Sequence, residues 1–161
     1  MADDRIPMTR EGYDKKKAEL DHLQGSVMLE LTKRVATARD MGDLSENAEY
    51  HAAREDQGQL QAKIDHLKYQ LSRAYFIDAD TLPKDVVAFG SRVTVYDEDL
   101  EDEETFLLVG PGDEDPAKGR ILTSSPIGQG LIGKKKGEVA EIQAPKGVLR
   151  FKVLKIEVAK I

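Results

Sequence analysis

The sequence contains no cysteine, which excludes a disulfide framework and any thiolate metal site and suits a reducing compartment. It has no tryptophan, and only 6% of its residues are aromatic, so material for an aromatic-lined binding pocket is scarce. No apolar run approaches membrane-spanning length, and the opening Met1-Ala2-Asp3-Asp4-Arg5 lacks the hydrophobic segment of a signal peptide. The expectation is a soluble, cytoplasmic protein with no membrane contact. An excess of positive charge is also missing, since the formal net charge is -6 with 34% charged residues. Residues 1–80 carry 12 basic and 16 acidic side chains and the remainder 12 and 14, so neither half is a polycation. General duplex DNA binding, which draws its affinity from a basic face, is therefore disfavoured, and any nucleic-acid contact should be local.

What is present begins with two helical patterns. With 161 residues, 40% of them hydrophobic, the chain can fill one ordinary core or two small ones. Leu20, Leu23, Val27, Leu31, Val35 and Ala38 recur at steps of three and four, on one helical face. Tyr50, Ala53, Gln57, Leu60, Ile64, Leu67, Leu71 and Ala74 keep the same alternation, which is a coiled-coil seam. A stripe that narrow is best hidden against a partner helix, and Gly42 can supply the left-handed residue that closes the first helix. The expected structure is an antiparallel hairpin. Its first helix, from about Thr9 to Asp40, would reach roughly 48 Å.

Near Ile77 the rhythm stops, and Asp78-Ala79-Asp80-Thr81-Leu82-Pro83 reads as a linker, because proline cannot continue a helix. The expected division is a hairpin over 1–78, with its tip at 41–47, and a second domain over 79–161. Beyond the linker the period becomes two. Strands are expected over 92–96, 105–109, 138–142 and 149–158, bounded by Gly, Pro and Asp clusters, in a small and mostly antiparallel sheet. The acidic run 97–104 reads as a solvated hairpin loop whose charge deters edge pairing. Gly128, Gly130 and Gly133 match a GxGxxG spacing, but no βαβ unit surrounds them, so a short helical turn with its exit loop is expected in place of a dinucleotide site.

The tip, Met41-Gly42-Asp43-Leu44-Ser45-Glu46-Asn47, admits two readings. Asp43 and Glu46, three apart ahead of the second helix, have the spacing of an N-cap with its reciprocal glutamate. The same two carboxylates at the end of a rod can instead ligate a hard cation such as Mg2+, if a second macromolecule completes the shell. A cap does not require so long an arm. His22, His51 and His66 show no paired ligand spacing and read as ordinary surface or half-buried side chains.

Gly42-Asp43-Leu44-Ser45-Glu46-Asn47-Ala48-Glu49-Tyr50-His51-Ala52-Ala53-Arg54-Glu55 resembles a signature of the bacterial Gre transcript-cleavage (transcription elongation) factors. Ser125-Pro126-Ile127-Gly128 with Gly130-Leu131-Ile132-Gly133-Lys134 is similar to the family's second signature, and Pro7-Met8-Thr9, Gly12 and Phe151-Lys152-Val153 also fit. The resemblance covers essentially the whole chain. It implies an α+β fold: an N-terminal antiparallel coiled-coil hairpin followed by a small FKBP-like antiparallel sheet domain. It further implies a factor that is not itself an enzyme. The hairpin would enter the secondary channel of bacterial RNA polymerase, where Asp43 and Glu46 help hold an active-centre Mg2+ so that the polymerase cuts its backtracked RNA.

By the same resemblance Arg54 contacts the nascent RNA 3′ end, and Ser125, Pro126 and Ile127 dock on the polymerase. A solvated helix arginine is the plainer reading of Arg54, and packing alone could explain Ile127. Only Arg39, Arg54 and Lys63 could share a basic face, a thin patch that favours the branch of the family releasing short cleavage products. Two departures stand out: Ser45 occupies a position that can be lysine in the family, and Asp3 and Asp4 have no assigned role. A monomer is expected, with no tight Mg2+ binding by the free protein. The alternatives are a family member that inhibits polymerase, an FKBP-like isomerase or chaperone, and a coiled-coil adaptor. The isomerase is disfavoured because the C-terminal half offers only Phe89, Tyr96, Phe106 and Phe151, and no tryptophan, to line a proline pocket.

Overall fold

The computed structural model describes residues 5–43, 46–77, 82–145 and 147–159. The chain divides into two compact units, Tyr13–Arg73 and the pairing of Met1–Gly12 with Ala74–Ile161. The domain boundary expected between Asp78 and Ala79 lies outside the described residues, as do Asp3 and Asp4.

The first unit is the helical hairpin. Thr9 starts α1 (Arg10–His22), its hydroxyl accepting from the Gly12 amide at 3.0 Å as an N-cap does. The first arm is not one uniform α-helix. A π-helical segment, Leu23–Val27, separates α1 from α2 (Met28–Arg39), and within it the Ser26 hydroxyl lies 3.0 Å from His22 Nδ1. Such a segment bonds residue i to i+5, one position wider than an α-helix. The return arm is α3 (Ala48–Arg73), a proline-free run rich in Ala, Gln, Leu and Lys. The expected seam is the buried stripe: Leu23, Leu60, Ile64 and Leu67 form a cluster flanked by Leu20, Val27, Met28 and Leu31. Toward the tip, Val35, Ala38 and Ala53 are buried as well. The seam ends sooner than expected, because Ala74 is a strand residue.

That strand, β2 (Ala74–Phe76), pairs in parallel with β1 (Ile6–Met8), an element the sequence patterns did not reveal. Met8 is fully buried, and the Arg5 guanidinium lies 4.8 Å from the Tyr75 ring centre, within cation–π reach. Gly12 and Gly112 explain part of the N-terminal motif. A Cβ on Gly12 would sit 2.7 Å from the Pro111 carbonyl, and one on Gly112 would sit 2.4 Å from the Gly12 carbonyl, so two backbones touch there. The Thr9 hydroxyl donates to Asp113 at the same place, which supplies a partner for a carboxylate only 8% exposed.

The remainder of this unit is a five-stranded sheet in the order β5-β4-β3-β7-β6: β3 (Ser91–Asp97), β4 (Asp102–Val109), β5 (Arg120–Leu122), β6 (Val139–Ala144) and β7 (Gly147–Val158). All four expected strands are present. The addition is β5, a three-residue edge strand parallel to β4, which makes the sheet mixed. One face carries the core of Val93, Val95, Phe106, Leu108, Ala140, Ile142, Phe151 and Val153, covered by Leu131 of the short helix α4 (Pro126–Leu131). The acidic hairpin loop is shorter than expected. Asp97 pairs with Asp102 at the end of the ladder, and Asp97, 3% exposed, accepts from the Asp99 and Leu100 amides.

Candidate functional site

The tip joins α2 to α3. After the C-cap Asp40, the Met41 amide donates to the Ala38 carbonyl at 3.2 Å, and Gly42 takes a φ of +133°. No neighbour crowds Gly42, so the demand for glycine is one of backbone conformation alone.

The cap of α3 is Asn47. Its Oδ1 accepts from the Tyr50 amide at 2.9 Å and its carbonyl from the His51 amide at 3.1 Å. Its Nδ2 donates to the Ala38 carbonyl, so one side chain ties the last turn of α2 to the first turn of α3. The expectation of an Asp43–Glu46 capping box is therefore corrected. Helical bonding begins at Ala48, which leaves Glu46 ahead of the helix, its amide donating to the Asp43 carbonyl at 3.3 Å. Asn47 was readable in principle as a cap-type residue immediately before an alanine-led run.

Asp43 and Glu46 are both exposed and line one open concavity of about 320 Å³ with Met41, Asn47 and Ala48. Leu44 and Ser45 lie outside the described residues, so the Ser45 departure has no structural counterpart here. Carboxylate oxygens are the donors Mg2+ prefers, and two of them leave most of an octahedral shell to others. Among the described residues no group of three or more His, Asp or Glu is placed to hold a metal ion. The donor set fits an ion shared with another macromolecule.

One residue behind the tip was missed. Arg34 on α2 donates from Nε to Glu49 Oε1 and from Nη1 to Asp56 Oδ2, both at 2.8 Å, so its fork spans one face of α3. Hydrogen bonding to Glu49 and then to Asp56 raises the guanidinium pKa further above its ordinary value. Arg34 and Asp56 immediately precede the seam positions Val35 and Gln57, the flanks where coiled coils place cross-helix charge pairs.

The basic patch is thin. Arg39 and Arg54 are exposed, Arg54 donates at 3.2 Å to Gln57 on its own helix, and Lys63 is engaged with Glu19 at 4.0 Å. All three histidines are exposed and lie apart, His51 meeting the Tyr50 ring edge-on at 5.7 Å.

In the sheet unit, Ser125 caps α4, accepting from the Gly128 amide at 3.1 Å while donating to the Leu122 carbonyl at 2.6 Å. Pro126 takes the first helical position. Two glycines of the GxGxxG spacing serve packing, whereas Gly133 has open surroundings and a φ of +86°. A Cβ on Gly128 would lie 2.3 Å from the Leu122 carbonyl and one on Gly130 2.5 Å from Ile142 Cγ1. Ser125, Pro126 and Ile127 come together on a groove of about 270 Å³ whose other walls include Ile121, Ile142 and Leu149. Among the described residues no aromatic side chain lines it. Phe106 and Phe151 instead pack against each other in the core at 5.8 Å, and Phe89 is 8% exposed.

Family models match almost all of this chain: "Transcription elongation factor, N-terminal" over residues 6–75 and "Transcription elongation factor, GreA/GreB, C-term" over residues 82–158. The chain is 48% identical to transcription elongation factor GreA of Thermodesulfovibrio yellowstonii over 153 residues, covering 95% of this chain and 97% of that one. It is 42% identical to GreA of Thermosipho africanus, covering 98% and 100%. Among solved structures, GreA factor homolog 1 (Gfh1) of Thermus thermophilus matches at 25% identity and a TM-score of 0.44, over 95% of this chain and 99% of that one. Among the described residues no helix is long and apolar enough to cross a membrane.

Proposed function

This chain belongs to the GreA/GreB family of transcription elongation factors, and from that premise we propose that its hairpin enters the secondary channel of RNA polymerase and stimulates cleavage of backtracked RNA. Asp43 and Glu46 supply carboxylate ligands at the polymerase active centre and orient the attacking water. A Mg2+ ion shared there with the polymerase would activate that water and stabilise the leaving oxygen. The factor lends ligands, and the polymerase remains the enzyme. Arg54, exposed on α3, contacts the RNA 3′ end, and the groove at Ser125, Pro126 and Ile127 receives an apolar element of the polymerase. The factor acts as a cytoplasmic monomer.

The observation that carries this reading is that Asp43 and Glu46, both exposed, line one open concavity at the end of the hairpin, ahead of the Asn47 cap of α3. The test is RNA cleavage in a stalled, backtracked polymerase complex with wild type and Asp43→Asn. Asparagine keeps the size of the side chain and removes the anionic ligand. The expected result is loss of cleavage with folding and polymerase binding intact. Persistent cleavage by the variant would sink the metal-ligand role.

A further inference from the structure

We infer that Arg34 is a positioning residue for the tip acids, an inference that rests on the function proposed above. Two hydrogen bonds leave one guanidinium on α2 and end on two carboxylates of α3, at Glu49 and Asp56, nearly two helical turns apart. A planar fork held at both ends resists rotation and sliding of one helix against the other more than a single contact does. Glu49 is two residues beyond the Asn47 cap, so the clamp acts on the first turn of α3.

The position matters because burial is thin at this end. The apolar cluster of the hairpin is built from Leu23, Leu60, Ile64 and Leu67 with Leu20, Val27, Met28 and Leu31, whereas nearer the tip the buried side chains are Val35, Ala38 and Ala53. Small side chains give close approach but little register. Asn47 to Ala38 on one side and Arg34 to Glu49 and Asp56 on the other fix the end from which Asp43 and Glu46 project. Arg34 touches no reacting atom in this scheme. It keeps the acids in one arrangement, so that the ion shared with the polymerase meets ligands already in place.

The test uses the full chain with Arg34→Gln and Arg34→Lys. Arg34→Gln should speed hydrogen exchange at the Tyr50 and His51 amides by about two- to fivefold, the range an exposed ion pair carries, and leave Ile64 and Leu67 unchanged. It should raise the Mg2+ concentration giving half-maximal cleavage by a similar factor, with polymerase affinity unaltered. Arg34→Lys, which keeps the charge but loses the fork, should recover part of both. Unchanged exchange at the tip overturns the inference. So does faster exchange with an unchanged Mg2+ requirement, which would make the clamp structural only. If wild type itself fails to stimulate cleavage, the proposed function falls, and the exchange measurement still decides whether Arg34 orders the tip.

Discussion

The hairpin and the sheet domain solve the burial problem in opposite ways. The sheet puts ten buried residues into one cluster, several of them fully inaccessible, and glycines let α4 and the loop at Gly112 press onto neighbouring backbone. The hairpin has four buried residues in its cluster, and its exposed flanks are joined by ion pairs. Shape is therefore held by packing in one region and largely by hydrogen bonds at the tip of the other. Asp43 and Glu46 are exposed at the tip, where polar bonds from Asn47 and Arg34 join the two helices.

This contrast can be broken by mutation. The largest effect is expected at Leu108, fully buried in the sheet: Leu108→Ala should cost about 3 kcal/mol, read from the free energy of exchange at β3 amides. Ile64→Ala, 2% exposed in the hairpin, should cost about 2 kcal/mol at α3 amides, since a one-layer seam relaxes into the gap more easily. Equal costs at the two sites would remove the contrast. Gly128→Ala tests close packing without deleting anything, and about 2 kcal/mol is expected in the sheet unit because the new methyl meets a carbonyl oxygen at 2.3 Å. Asn47→Ala should cost about 1 kcal/mol, confined to the amides at the start of α3, by urea dependence of exchange.

The smallest effect concerns pH. The hydrogen bond and charge of Lys155 hold the Glu157 carboxyl below its ordinary value of 4.5. A depressed carboxyl contributes stability that is fully present above that ordinary value and fades as pH falls through the lower folded value. Both side chains are well exposed, so the contribution is screened. Glu157→Gln should leave a slightly flatter acid limb in the thermal midpoint between neutral and acid pH. A steeper limb would contradict the assignment.

Legibility followed length and period. The seam from Leu20 to Leu71 and strands such as Arg92–Tyr96 were readable because many residues repeat one geometric rule. β1, β2 and β5 were not, being three residues each, too short for any period to register. The π segment at Leu23–Val27 was hidden as well, because one widened turn leaves the apolar spacing almost unaltered. At the tip the spacing read Asp43 as the cap of the second helix, where Asn47 holds it.

By itself the sequence determined the two grammars of this chain, the family signature and the acids at a turn, since residue type and spacing are local properties. Tertiary structure alone decided two things: that Arg34 reaches both Glu49 and Asp56, and that Gly130 packs against Ile142. Each depends on the distance between segments remote in sequence, and that distance exists only once the backbone has closed.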